Sequence, residues 1–359
     1  MGIIRFLLAL SVLLSHLEIP GDFSILDNGS DAVQLFFIIS GFYMFLTYEI
    51  KYKTLSRNTT FYFYTNRLLR IYPIYFIILA ASIIYALYSS KFSPHLPNQY
   101  AVYIAFTGQL NNFWLYGLGM NNFSLLGMVT LAFFKICDTS LVFRWHPDTD
   151  LSRDVLSQFQ FVPQAWSLGM EFWFYMLCPF LAKLKTNKIL LLFTGLLMIK
   201  IFFLYYVSND YQWQYRFLPF ELILFLLGAY VYRLYSQRTI SIRKNRKLIF
   251  VLILFAILFL NTFSNYLLPK WLFYLAFAFY IPMTFELFKN NKIDKFLGDL
   301  SFPFFISHVL VILISREFVF QHEWIRIFFI LTMVLLISII LVVITRPIER
   351  YRTSRLKNE

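Results

Sequence analysis

Apolar runs of helical length, broken by short clusters of basic and polar residues, set the pattern of this chain. A membrane-crossing helix needs about 20 mostly apolar residues. Ten segments meet that need, at roughly 3–19, 32–50, 68–89, 165–183, 188–207, 217–235, 248–265, 271–288, 299–317 and 325–345. The pattern predicts an all-α fold, a polytopic transmembrane helical bundle. No unit recurs at the period of about 20–50 residues that marks solenoids and arrays. One connection is long, 91–164. It is aromatic and fairly apolar over 100–118 and 123–137, but Asn111, Asn112, Asn121 and Asn122 interrupt the runs. Re-entrant or interfacial helices suit it better than another pair of spans, and loops of this size are often functional. The expected organisation is one integral membrane domain over 1–350 and a short basic tail over 351–359, with no soluble second domain. The opening MGIIRFLLALSVLLSH resembles a signal peptide in outline, but no small-residue cleavage site follows, so it reads as a retained first span.

Composition agrees with this class. Hydrophobic residues make up 59% and charged residues 14%, against about 45–50% and about 25% in soluble domains. Mean hydropathy is +0.63. An aromatic content of 21% excludes a disordered chain. Cys137 and Cys178 are the only cysteines, which excludes a disulfide-stapled fold, and neither has metal-ligand spacing, so no metal is expected. The net charge of +13 changes the picture only through its placement. On a soluble domain it suggests nucleic acid. Here most of the 32 basic residues fall in the connections after the second, fourth, sixth and eighth spans, at Arg5, and from Arg346 onward. A ten-span chain puts all of these on one side. The positive-inside rule makes that side the cytoplasm and leaves both termini there. The expected surroundings are the lipid bilayer, with no nucleic-acid partner.

Ionisable groups inside spans are costly and mark candidate chemistry. Arg5 and His16 are eleven residues apart, which places them on one helix face about 16 Å apart along the axis. A cation at the cytoplasmic mouth suits an anionic ligand, and an imidazole at depth suits proton transfer. Glu171 lies in AWSLGMEFWFYMLCPF, with Ser167 one turn away on the same face. His308 lies in LSFPFFISHVLVI and shares a face with Ser301. Arg67 and Arg70 open the third span three residues apart and form a possible phosphate clamp. Ser40-Gly41 is a small polar notch within FFIISGFYMF. Each has a structural reading beside the functional one: an interfacial anchor for the arginines, a helix-bonded carboxylate or imidazole for Glu171, His16 and His308, and close helix packing for Gly41. Lys200 reads as snorkelling outward. His95, His146 and His322 show no ligand spacing.

Six segments, in order, resemble the acyltransferase 3 family of integral membrane O-acyltransferases, which includes O-antigen and other surface-polysaccharide acetyltransferases. They are Arg5 to His16 (Arg-x10-His), LFFIISGFYMF, NRLLRIYPIYF, QAWSLGMEFWFYMLCPFL, FELILFLLGAYVY and LSFPFFISHVLVI. The resemblance covers roughly 3–345. Phe302 and Phe305 stand where the family usually has tyrosines, and the soluble hydrolase-like domain of some members is not expected after Glu359.

The resemblance implies an acyl-CoA donor, most simply acetyl-CoA, used as substrate with no permanently bound cofactor. It also implies a glycan or glycolipid acceptor and a bacterial inner-membrane location. Arg5, Arg67 and Arg70 would hold the donor's phosphates. His16 would act as general base, or alternatively carry the acyl group. Glu171 would orient His16 or bind the acceptor, and Trp166 would stack on a sugar. Ser40, Gly41, Ser167, Tyr175, Ser301 and His308 would line or support the site. A flippase for lipid-linked saccharides is the rival reading, and a catalytically dead scaffold the second rival. The oligomeric state is not legible.

Overall fold

The computed structural model describes residues 1–17, 29–52, 59–96, 98–137, 139–143, 155–208, 210–237 and 267–355. Its helices are α1 (Gly2–Leu14), α2 (Gly29–Thr47, continued by a π-helical turn Tyr48–Tyr52), α3 (Thr59–Phe92), α4 (Gln99–Phe106), α5 (Asn112–Ser124) and α6 (Trp166–Leu181). They continue as α7 (Thr186–Tyr206), α8 (Tyr211–Tyr215), α9 (Leu218–Ser236), α10 (Leu267–Phe288), α11 (Lys292–Ser315) and α12 (Glu323–Arg355). Seven stretches are long and apolar enough to cross a membrane: Gly29–Tyr52, Thr59–Phe92, Thr186–Tyr206, Tyr211–Ser236, Lys270–Phe288, Lys292–Ser315 and Glu323–Arg355. The polytopic helical class stands on these. The span expected at 248–265 lies outside the described residues.

Two expected spans are shorter than the sequence suggests. α1 has 13 residues and α6 has 16. α1 stops because the chain tightens: the N–H groups of His16 and Leu17 bond three residues back, to Leu13 and Leu14. α6 is led in by a 3₁₀ turn, Pro163–Ala165, with Pro163 where a missing N–H costs nothing. The loop 91–164 also departs from an all-α reading. Phe134–Cys137 pairs antiparallel with Ser140–Phe143, in the register Phe134↔Phe143 and Ile136↔Leu141. Four-residue alternations rich in β-branched and aromatic residues form a ribbon once the helices around them supply a surface.

Helices α2, α9 and α11 are central, each 61% buried over its apolar window, whereas α7 is 17% buried and lies at the rim. The α2–α9 crossing is set by two glycines. A Cβ on Gly41 would strike the backbone of Phe225, and one on Gly228 would strike the backbone of Ile38. The bare positions let the helices touch along their main chains. At one end of the bundle, α1 starts against α11. Asn291 caps α11 by accepting from the N–H groups of Ile293 and Asp294, and the Asp294 carboxylate accepts from the N–H of Ile3 at 3.0 Å. We call this the basic end, and the side carrying 91–164 the far end.

The loop hangs from α3 and α6. Tyr72 donates to the carbonyl of Ser124 (3.0 Å) and Trp173 to that of Leu126 (3.1 Å). Inside it, Tyr103 and Asn122 both donate to the carbonyl of Phe159, at 3.0 Å each. Burial pushes the Tyr103 phenol up from its ordinary value, so it remains a neutral donor. Its two helices have 8 and 13 residues, and α5 leaves Phe113, Tyr116 and Met120 exposed.

Candidate functional site

At the basic end, a cavity of about 450 Å³ opens between α1, α2, α3, α6, α10 and α11. Arg5, Lys51, Arg70, Lys289 and Lys295 line it, with Glu171, Asp294 and Asp299. Five cations against three carboxylates suit a polyanion. Lys51 reaches this wall from the π-helical turn after α2, while Tyr48 and Tyr52 of the same turn stay in the core. Lys51, Lys289 and Lys295 were visible in the sequence only as topology signals.

Arg5, Ser40 and Glu171 also line a second, narrower space of about 60 Å³. Ser167, Ser301, Phe36, Phe37, Phe302 and Phe305 complete much of its wall. The three shared residues therefore form a neck between a wide basic chamber and a narrow aromatic one. Gly41 faces α9, and Ser40, one position earlier, is turned about 100° away toward α6. Its Oγ donates to Glu171 Oε1 at 2.9 Å, and Tyr175, one helical turn after Glu171, donates to the same oxygen at 2.5 Å. The charges of Arg5 and Glu171 attract across the neck.

Toward the far end, beyond Phe305, two imidazoles meet. The rings of His16 and His308 lie 5.1 Å apart, centroid to centroid, in an edge-to-face arrangement. His16 Nδ1 is 2.7 Å from the carbonyl of Val12, and His308 Nδ1 is 2.5 Å from that of Phe305. His16 is exposed at the end of α1, whereas His308 is fully buried.

Several residues picked from sequence are placed differently from expectation. Glu171 does not contact His16; its bonds go to Ser40 and Tyr175, and the neighbour of His16 is His308. Arg67 does not line the basic chamber. It is 2% exposed, with its guanidinium 5.2 Å from the Phe63 ring and 5.8 Å from the Tyr175 ring, so its inward-turned side of α3 makes it a packing cation. Trp166 offers no open face to a sugar, because it is packed among Phe37, Tyr215 and Arg216, the last at 5.1 Å. Lys200 does not snorkel outward. It is 6% exposed and bonds Glu221 Oε1 at 3.2 Å, because its face of α7 packs on α9. Ser167 and Ser301 reach the narrow chamber, and Gly41 serves the α2–α9 crossing. His322 and His95 stand apart from both chambers, and among the described residues no group of three or more His, Cys, Asp or Glu could hold a metal ion.

Comparison with known proteins adds the family. A model of the acyltransferase 3 domain matches residues 1–343. A protein of Aquifex aeolicus (strain VF5), described as uncharacterized, is 27% identical over 157 residues, covering 42% of this chain and 69% of its own length. No solved structure matches. The domain match runs from α1 into α12 and so includes both chambers, the neck and the imidazole pair. With its helical membrane fold, the chain belongs to the acyltransferase 3 family and is a membrane acyltransferase.

Proposed function

We propose that this protein moves an acyl group, acetyl first of all, from cytoplasmic acyl-CoA to a hydroxyl of a glycan or lipid-linked glycan outside the bacterial inner membrane. The observation that carries this reading is the order of the spaces: a basic chamber, a neck at Arg5, Ser40 and Glu171, an aromatic chamber, then two imidazoles. That order matches the order of parts in acyl-CoA. The phosphates belong with Arg5, Arg70, Lys51 and Lys295, where cations outnumber carboxylates. The pantetheine arm is thin and carries amide N–H groups, which Glu171 can accept. The rise of about 16 Å from Arg5 to His16 suits its length. The acyl group must lead the arm through a space of about 60 Å³ walled by phenylalanines, which favours a short, uncharged acyl. The same narrowness disfavours a flippase, whose cargo would include a whole saccharide.

His16 acts as the general base in this reading. Its Nδ1 is tied to a carbonyl, so Nε2 holds the lone pair. The acceptor's O–H bond breaks and its proton goes to Nε2. The oxygen bonds to the thioester carbonyl carbon, the C–S bond breaks, and the thiolate leaves with the proton as CoA-SH. Replacing His16 with Ala in purified protein held in lipid discs is expected to lower acyl transfer by about 10²–10⁴-fold. Free CoA and acylated glycan, followed together by mass spectrometry, check this. Transfer at the wild-type rate would remove His16 from the chemistry.

A further inference from the structure

Two imidazoles at the far end share one tautomer and differ in burial. A carbonyl oxygen can only accept, so the Nδ1 of His16 and of His308, each beside a carbonyl, is the protonated nitrogen of its ring. Each ring therefore presents Nε2 as an acceptor. His308 is 0% exposed, and its Nε2 meets no donor. The same holds for Oε1 of Gln164, 7% exposed, whose amide nitrogen donates to the carbonyl of Ile306 at 2.6 Å, two residues before His308 on α11. Buried acceptors are almost always satisfied, and those that are not usually await a partner. The His308 acceptor lies beside the exposed imidazole of His16, at the end of the molecule that an outer acceptor would reach. What completes it must bring a hydrogen-bond donor at that point.

We propose that the acyl acceptor is a polyol that binds through two neighbouring hydroxyls. The hydroxyl to be acylated donates to His16 Nε2, and the adjacent one donates to His308 Nε2. The rings lie 5.1 Å apart, on the scale of two neighbouring hydroxyls of one sugar ring with a hydrogen bond of about 2.8 Å each. His308 is then a specificity-determining residue that reads the hydroxyl next to the reacting one. A site built to bond a hydroxyl rejects the analogue that lacks it, because its own acceptor is left bare. The inference rests on His16 as the base.

The test uses the full chain in lipid discs with acetyl-CoA, and methyl hexopyranosides with their monodeoxy counterparts as acceptors. In the wild type, deleting the hydroxyl adjacent to the acylated position is expected to lower kcat/KM at least tenfold, and deleting a distant hydroxyl to change it less than threefold. In His308→Leu the adjacent and distant deletions should become equivalent. His308→Gln, whose amide oxygen can stand in for Nε2, should recover part of the difference; it also decides the matter if the leucine variant does not fold. Equal sensitivity to adjacent and distant deletions in the wild type overturns the inference, as does acylation of simple monoalcohols as fast as of any pyranoside. Both of those outcomes leave His16 in place. Full activity of His16→Ala on the same acceptors would instead remove the base on which the inference stands.

Discussion

Glu171 and Glu221 are carboxylates on helices of the same bundle, and their surroundings differ in kind. Glu221 is 0% exposed and saturated: Gln34 Nε2 donates to both of its oxygens at 3.0 Å, and Lys200 Nζ reaches Oε1 at 3.2 Å. The network runs on from there. The Tyr274 hydroxyl reaches both Gln34 Oε1 and Asp31 Oδ1, and Lys270 lies 2.6 Å from Asp31. Helices α2, α7, α9 and α10 are joined by it. Glu171 instead takes both of its donors, Ser40 and Tyr175, on one oxygen, and borders two cavities. Depth in the membrane thus does not separate structural from functional charge. Incomplete bonding beside open space does.

The difference can be broken most strongly at the saturated end. Lys200→Met leaves Glu221 as a buried charge without its cation, which is expected to cost about 3–5 kcal/mol of stability. Adding Glu221→Gln to it removes the stranded charge and should restore at least half of the loss. Denaturant unfolding in detergent, read by tryptophan fluorescence, checks both. Additive losses in the double variant would mean that Lys200 and Glu221 do not act as a pair.

The next effect falls on turnover. Glu171→Gln keeps the shape of the neck and removes its charge, and is expected to lower acyl transfer about 10²-fold with an unfolding midpoint near the wild type. The vacated charge on Arg5 faces a solvated cavity and is less costly there than a sealed one. Initial rates of CoA release measure it. A large loss of stability with unchanged rate per folded molecule would move Glu171 into the class of Glu221.

The sequence pattern revealed helices long enough to cross, and the motifs picked out Arg5, Ser40 and Glu171 one by one. Arg5, Ser40, Glu171, Ser167 and Ser301 do converge. Periodicity tells which residues share a face of one helix, so Arg5 and Glu171 were each legible alone. It does not tell which faces of two helices meet. For that reason Lys200 read as a snorkelling cation when its partner lay on α9, and Arg67 read as a clamp when Phe63 and Tyr175 enclose it. The same limit hid His308 as the neighbour of His16, since the two are brought together only by α1 lying along α11. The hairpin was missed because two strands of four residues are too short to impose a period of two on a loop.

The smallest expected effect is the sharpest separation of the two sites, because it removes one neutral donor from each. Ser40→Ala deletes a 2.9 Å hydrogen bond to Glu171 but leaves Tyr175 on the same oxygen, and the adjoining cavity admits water to replace what is lost. The net worth of such a bond is about 0.5–1.5 kcal/mol, so turnover should fall about 3–10-fold with little change in unfolding. Gln34→Ala removes the donor to both oxygens of a sealed carboxylate, where no water enters to take its place. The cost there is the desolvation of an unmet charged acceptor, about 1–3 kcal/mol or more, and it appears in unfolding rather than in rate. Measuring rate and unfolding on both variants gives four values. If Ser40→Ala loses stability as Gln34→Ala does, the neck is another structural clamp; if the losses divide as expected, the same carboxylate chemistry is used once to hold helices and once to meet a substrate.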